Sequence, residues 1–157
     1  MPKNQLYWED VAEGSALPVL SKTATTVMLV KWASVSGDFN PLHYDLPFAE
    51  SQGIGRPIVH GQLKRAWLIQ LLTDWIGDEG WLKKFSCQFR GVDYPLNMKS
   101  ISEPVEDKIT HWCKGKVMAK RIENGEHLAE CEIWVEDENG VRTTPGTATV
   151  VLPSRGN

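Results

Sequence analysis

The chain has 157 residues, 41% hydrophobic and 24% charged. That is the balance of one ordinary globular domain rather than a disordered tail, a fibre or a multi-domain assembly. Seventeen Lys and Arg against twenty Asp and Glu leave a net charge of −3, so no cationic surplus exists to neutralise a phosphate backbone and nucleic acid is not an expected partner.

The apolar runs around Ala66 and Leu71 are cut by Gln70 and Thr73, far short of the roughly 20 residues a bilayer span needs. The opening Met1-Pro2-Lys3-Asn4-Gln5 has no apolar stretch of the signal-peptide kind. One cytoplasmic domain over residues 1–157, with no membrane attachment, is expected.

Residues 19–27, rich in Thr and Val, predict a first strand, and residues 27–35 a short helix. A longer helix is predicted over 61–76. There Leu63, Ala66, Trp67, Leu68, Ile69, Leu71, Leu72, Trp75 and Ile76 occupy more than one stripe, as in a helix covered on several sides, and Gly77 ends it. Residues 85–92 and 105–113 read as further strands. Residues 116–122 and 127–135 flank Glu123-Asn124-Gly125-Glu126, an Asn-Gly hairpin signal. Asn139-Gly140 then leads into a Thr- and Val-rich strand over 141–152, where Pro145-Gly146 predicts a bulge or an edge. Along 127–135, apolar Ala129, Cys131, Ile133 and Val135 alternate with Glu130, Glu132 and Trp134, so one face of the sheet is apolar. An enclosed helix followed by one-sided antiparallel strands gives an α+β fold, a curved sheet wound around a central helix.

Cys87, Cys113 and Cys131 lie 26 and 18 residues apart, which matches no metal-ligand spacing, and they read as reduced core or strand residues. Seven Trp in one small domain point to a large core or an apolar pocket. Trp32, Trp67 and Leu68 are candidates for its walls.

Residues 35–43, Val-Ser-Gly-Asp-Phe-Asn-Pro-Leu-His, are dense in turn formers and in groups able to move protons. A tight loop here can bring the carboxylate of Asp38 and the imidazole of His43 to one point. Ordinary pKa values of about 3.9 and 6.5 let such a pair divide base and acid work near neutrality. On these residues alone, a turn-capping Asp and a His that satisfies a loop carbonyl remain an alternative. Further on, Arg56-Pro57-Ile58-Val59-His60-Gly61 runs into the long helix. Its first amides, unpaired at the positive end of the dipole, can hold developing negative charge on an oxygen. Gly61 can equally serve to let the chain pass close to its neighbours.

The contiguous Ser36-Gly37-Asp38-Phe39-Asn40-Pro41-Leu42-His43, followed by Arg56-Pro57-Ile58-Val59-His60-Gly61, resembles the hydratase motif of MaoC-like (R)-specific enoyl-CoA hydratases, which are hotdog-fold proteins. The resemblance implies reversible syn addition of water to a 2-enoyl thioester, giving an (R)-3-hydroxyacyl thioester. It implies Asp38 and His43 as the catalytic pair that holds and deprotonates water, Gly61 as the amide that binds the thioester carbonyl, and Asn40 as the residue that shapes the loop. It also implies an acyl-CoA or acyl-carrier-protein substrate, no cofactor beyond coenzyme A as part of that substrate, and no metal. A homodimer is expected, with a heteromer of related chains as the alternative. Many relatives place a Ser on the central helix against the catalytic Asp, where this chain has Ile69; Gln62 and Thr73 are the candidate substitutes. His60, His111 and His127 read as helix-leading, strand and hairpin residues without chemistry. Lys64, Arg65, Lys83, Lys84 and Arg90 read as phosphate-binding or solvated surface charges. A thioesterase would need an acidic residue early on the long helix, and none stands between Gly61 and Thr73.

Overall fold

Among the described residues five strands, β1 (Leu20–Lys22), β2 (Trp81–Cys87), β3 (His111–Glu123), β4 (Glu126–Glu136) and β5 (Arg142–Leu152), form one antiparallel sheet in the order β1-β3-β4-β5-β2. Three α-helices accompany it among the described residues: α1 (Thr26–Ser36), α2 (Leu46–Ser51) and α3 (Gly61–Ile76). This is a computed structural model, and it describes residues 5–100, 102–105 and 108–156. The helix α3 touches all five strands and buries Leu63, Trp67, Leu68, Leu71, Leu72 and Ile76. Against them lie Val117, Ala129, Cys131, Ile133, Val135, Ala148, Val150 and Leu152 from the apolar face of the sheet. Burying large aliphatic side chains from both layers contributes roughly 1.5–3 kcal/mol each, which makes this contact the core. The curled sheet around one helix is the hotdog arrangement expected from the sequence.

Local chemistry sets the ends of the elements. Thr25 caps α1 by accepting from the Met28 amide at 3.1 Å, which is why the strand expected over 19–27 shrinks to Leu20–Lys22. The helix α3 stops at Gly77, φ 75°, where Gln5 donates to the Ile76 carbonyl at 2.9 Å. The hairpin between β3 and β4 turns on Asn124 and Gly125, φ 53° and 81°, the pair of positive angles a type I′ turn demands.

Other expectations shift. The strands expected over 105–113 and 116–122 are not two: β3 begins at His111 and runs unbroken to Glu123, with its register shift between Val117 and Ala119. Residues 106 and 107 of the former lie outside the described residues. The strand expected over 85–92 is β2, which starts earlier, at Trp81, and ends at Cys87. Pro145-Gly146 sits inside β5 without a register shift. The irregularity falls at Thr143, between the pairs Val135–Thr144 and Glu136–Arg142. Beyond the last pair with β2, Cys87–Gly146, the amides of Arg90 and Gly91 both bond to the Thr143 carbonyl, at 2.9 and 3.0 Å. Cys113 and Cys131 are buried in the core, and burial pushes their thiols up to about 12.

Gly146 is the one strand glycine whose added Cβ would sit 2.4 Å from a main-chain atom, the Ser86 oxygen. Gly146→Ala is therefore expected to destabilise the fold by about 1–3 kcal/mol in urea unfolding; an unchanged midpoint would show that β2 can move aside.

At the start of β3, burial holds the His111 imidazole below its ordinary value of 6.5, against the opposing pull of Asp93. The unfolded chain then binds the proton more readily than the folded one. This contribution to stability is present above about pH 6.5 and is lost as pH falls through the lowered folded value. Between about pH 7.5 and 5.5 the melting temperature should fall, and His111→Gln should make that slope shallower. Equal slopes in both proteins would contradict it.

Candidate active site

The loop that leaves α1 is held by its own short side chains. Gly37 (φ 75°) closes the helix by bonding to the Ala33 carbonyl at 2.9 Å. The Ser36 hydroxyl donates to Trp32 O at 2.7 Å and accepts from the Asp38 amide at 3.2 Å. Asp38 Oδ1 accepts from the Asn40 amide at 3.3 Å. Asn40 Oδ1 in turn caps the short 3₁₀ turn Pro41–His43 through the Leu42 amide at 3.1 Å. Asn40 thus caps the turn with its side chain and meets Asp38 through its backbone amide. Tyr44 closes the loop by donating to Phe39 O at 2.9 Å.

Two bonds dock this loop onto the segment ahead of α3. The Ile58 amide donates to Leu42 O at 3.0 Å, and His43 Nδ1 lies 2.8 Å from Ile58 O. A carbonyl can only accept, so Nδ1 carries a proton and Nε2 is the nitrogen left for exchange. That Nε2 stands 3.9 Å from Asp38 Oδ2, with the two side chains 10% and 37% exposed. The separation is too long for a direct hydrogen bond and suits one bridging water. The fold therefore brings Asp38 and His43 together.

His60, expected to have no chemistry, lies inside the site. It is fully buried and its ring stacks on His43 with centroids 3.6 Å apart and planes at 20°. Its Nε2 is 3.2 Å from the Asp38 carbonyl, to which it donates, while its Nδ1 has no hydrogen-bond partner among the described residues. Desolvation first, then the neighbouring His43, holds the His60 imidazole below its ordinary value, which favours its neutral form. The sequence signal was its place inside the block that leads directly into the helix.

Asp38, His43 and His60 offer ligand atoms within 4.8 Å of one another. Imidazole lone pairs lie in the ring planes, and two nearly parallel planes 3.6 Å apart do not converge at the roughly 2 Å a metal–nitrogen bond requires. The arrangement suits proton exchange better than metal binding.

His60 is the N-cap of α3, and no side chain caps it. The amides of Leu63 and Lys64 bond to His60 O at 3.1 and 3.3 Å. Gly61 opens the helix where the initial amides fall outside that ladder. The structure also gives a packing reason for glycine here, because an added Cβ would meet the Phe89 ring at 2.8 to 3.0 Å. Phe89 is itself 48% exposed.

Neither substitute for the missing serine reaches Asp38: Gln62 accepts from Arg65 at 3.3 Å and Thr73 donates to Gln70 O at 3.2 Å. Ile69 is half-buried on α3, and the Asp38 carboxylate takes its hydrogen bond from within its own loop. Lys64 is not a surface charge. It is buried and paired with Asp93. Lys83 is paired with Glu126, while Arg65, Lys84 and Arg90 are exposed. Trp67 and Leu68 are core residues.

Comparison with known proteins follows the same lines. The family described as MaoC like domain matches residues 11–126. An (R)-specific enoyl-CoA hydratase of Aeromonas caviae is 39% identical over 136 residues, 85% of this chain and 90% of that protein. Among solved structures, the A. caviae (R)-hydratase involved in PHA biosynthesis superposes with a TM-score of 0.75 at 24% identity, covering 92% of this chain and 99% of that one. A chain of the ChsH1-ChsH2 complex from Mycobacterium tuberculosis gives 0.71 at 19% identity, covering 90% and 98%. With the matched block spanning both the 38–43 loop and the start of α3, the chain belongs to the MaoC-like domain family.

Proposed function

We propose that this protein catalyses the reversible syn hydration of a 2-enoyl thioester, carried on coenzyme A, to the (R)-3-hydroxyacyl thioester. The observation that carries the reading is the 3.9 Å gap between Asp38 Oδ2 and His43 Nε2, with the other ring nitrogen already committed to Ile58. The similarity to the A. caviae hydratase over nearly its full length supports the same substrate class.

One water held across that gap attacks C3 of the enoyl thioester, and the Asp38 carboxylate takes its proton as the C–O bond forms. The π electrons move toward the thioester oxygen, where the Gly61 amide at the positive end of α3 stabilises them. His43, protonated on both nitrogens, gives its Nε2 proton to C2 from the same face. The proton on Asp38 then passes to His43 through the next water, restoring the pair. Neutral His60 beneath the ring keeps a second positive charge out of the site. No step calls on a metal or a cofactor beyond the coenzyme A of the substrate.

With crotonyl-CoA, loss of the conjugated thioester absorbance should report turnover. Asp38→Asn and His43→Gln should each lower kcat by about 10²–10⁴ with an unchanged circular dichroism spectrum and no release of free thiol from the unaltered protein. Undiminished turnover in both variants would remove the mechanism, and stoichiometric thiol release would make the protein a thioesterase.

The working unit in this reading is a homodimer. The outer strands β1 and β2 leave sheet edges that proteins of this kind cover. Light scattering on the purified chain should give twice the monomer mass. A monomer that dimerises only with a related chain would instead favour the heteromeric arrangement, in keeping with the two-chain complex among the similar structures.

A further inference from the structure

We propose that Lys64 and Asp93 form a buried positioning pair, one that sets the first turn of α3, and with it the Gly61 amide, against the segment that holds His43. This inference rests on the hydration reading above for its kinetic consequence only. The side chains of Lys64 and Asp93 are 2% and 0% exposed and in direct contact, and Lys64 Nζ also donates to Gly91 O at 3.1 Å. Lys64 is one helical turn after Gly61, and its own amide bonds to His60 O at 3.3 Å.

Asp93 reaches the other half of the site through its main chain, where its carbonyl accepts from the Val59 amide at 2.8 Å. Val59 stands between Ile58, which holds the Nδ1 proton of His43, and His60, which stacks on His43. One residue thus grips the helix start with its carboxylate and the His43-holding segment with its carbonyl. Neither Lys64 nor Asp93 itself touches Asp38 or His43.

The second carboxylate oxygen of Asp93 is also directed. His111 Nε2 lies 3.8 Å from Oδ1, and neither atom has a hydrogen-bond partner among the described residues. The Thr110 hydroxyl sits 2.7 Å from His111 Nδ1 and accepts from the Ala24 amide at 2.9 Å. The same hydroxyl lies 3.4 Å from Lys22 O, so the ring is held at Nδ1 while its Nε2 faces Asp93.

Desolvating two charges consumes most of their attraction, and an apolar pair of similar volume commonly serves stability as well or better. What an apolar pair lacks is direction. The pair and its two carbonyl contacts fix both the depth and the rotation of the first turn, and an oxyanion donor is sensitive to displacements of about 1 Å.

The test uses the full chain with Lys64→Met, Asp93→Asn and both together. Each single change strands one buried charge and is expected to lower the melting temperature, whereas the double change removes both charges. The double variant should fold, keep KM for crotonyl-CoA within about twofold and lose about tenfold in kcat. In nitrogen–proton NMR the Gly61 amide and the His43 Nδ1 proton should both move from their positions in the unaltered protein. A double variant with unchanged kcat and an unmoved Gly61 signal would overturn the proposal. So would a double variant that does not fold, because the pair would then be a requirement of folding rather than of alignment. If the unaltered protein hydrates no 2-enoyl thioester, the hydration reading falls and the two NMR signals alone decide whether the pair positions the helix.

Discussion

The site depends on Ile58, which spends both of its main-chain groups on one loop. Its amide holds Leu42 O and its carbonyl receives His43 Nδ1. A main-chain carbonyl is an acceptor under every condition in which the fold survives, so this bond decides which nitrogen of His43 faces Asp38. A side-chain partner could rotate away or titrate. A backbone partner can do neither, and the orientation of the imidazole is thereby written into the path of the chain.

The stacked rings add an electrostatic constraint. Two imidazoles 3.6 Å apart cannot both be charged without strong repulsion in a poorly solvated place. Full burial of His60 holds its imidazole below the ordinary value and so favours its uncharged form. The unmatched Nδ1 of His60 is a cost of this arrangement. Neutral His60 therefore works as a fixed, uncharged floor, holding the Asp38 carbonyl from below while the carboxylate of the same residue faces the opposite partner.

Much of the architecture was legible because it follows from rules local in sequence. The Asn124-Gly125 turn needs positive φ at both residues, few other pairs supply it, and the hairpin appeared where the sequence put it. The all-round apolar character of α3 likewise announced its enclosure. What escaped was set by contacts between distant segments. β3 reads as two strands until the sheet joins it, and the irregularity expected at Pro145-Gly146 falls at Thr143, where the Arg90 and Gly91 amides converge. Lys64 looked like a solvated charge because its partner is 29 residues away, and no pattern along the helix reveals an ion pair made across the fold. The Asp38–His43 pairing was legible as a motif, while the part of His60 became visible only through the stacking distance.

The defect in β5 also has a reach beyond the sheet. Two successive amides, those of Arg90 and Gly91, meet the single carbonyl of Thr143 there, and the stretch of chain they anchor carries Phe89 to Gly61 and Asp93 to Lys64. The start of α3 is thus tied, through one short stretch of chain, to the place where β5 carries its extra residue. A change that shifts that strand by one residue would therefore be felt at the first turn of α3, far from the shifted pair itself.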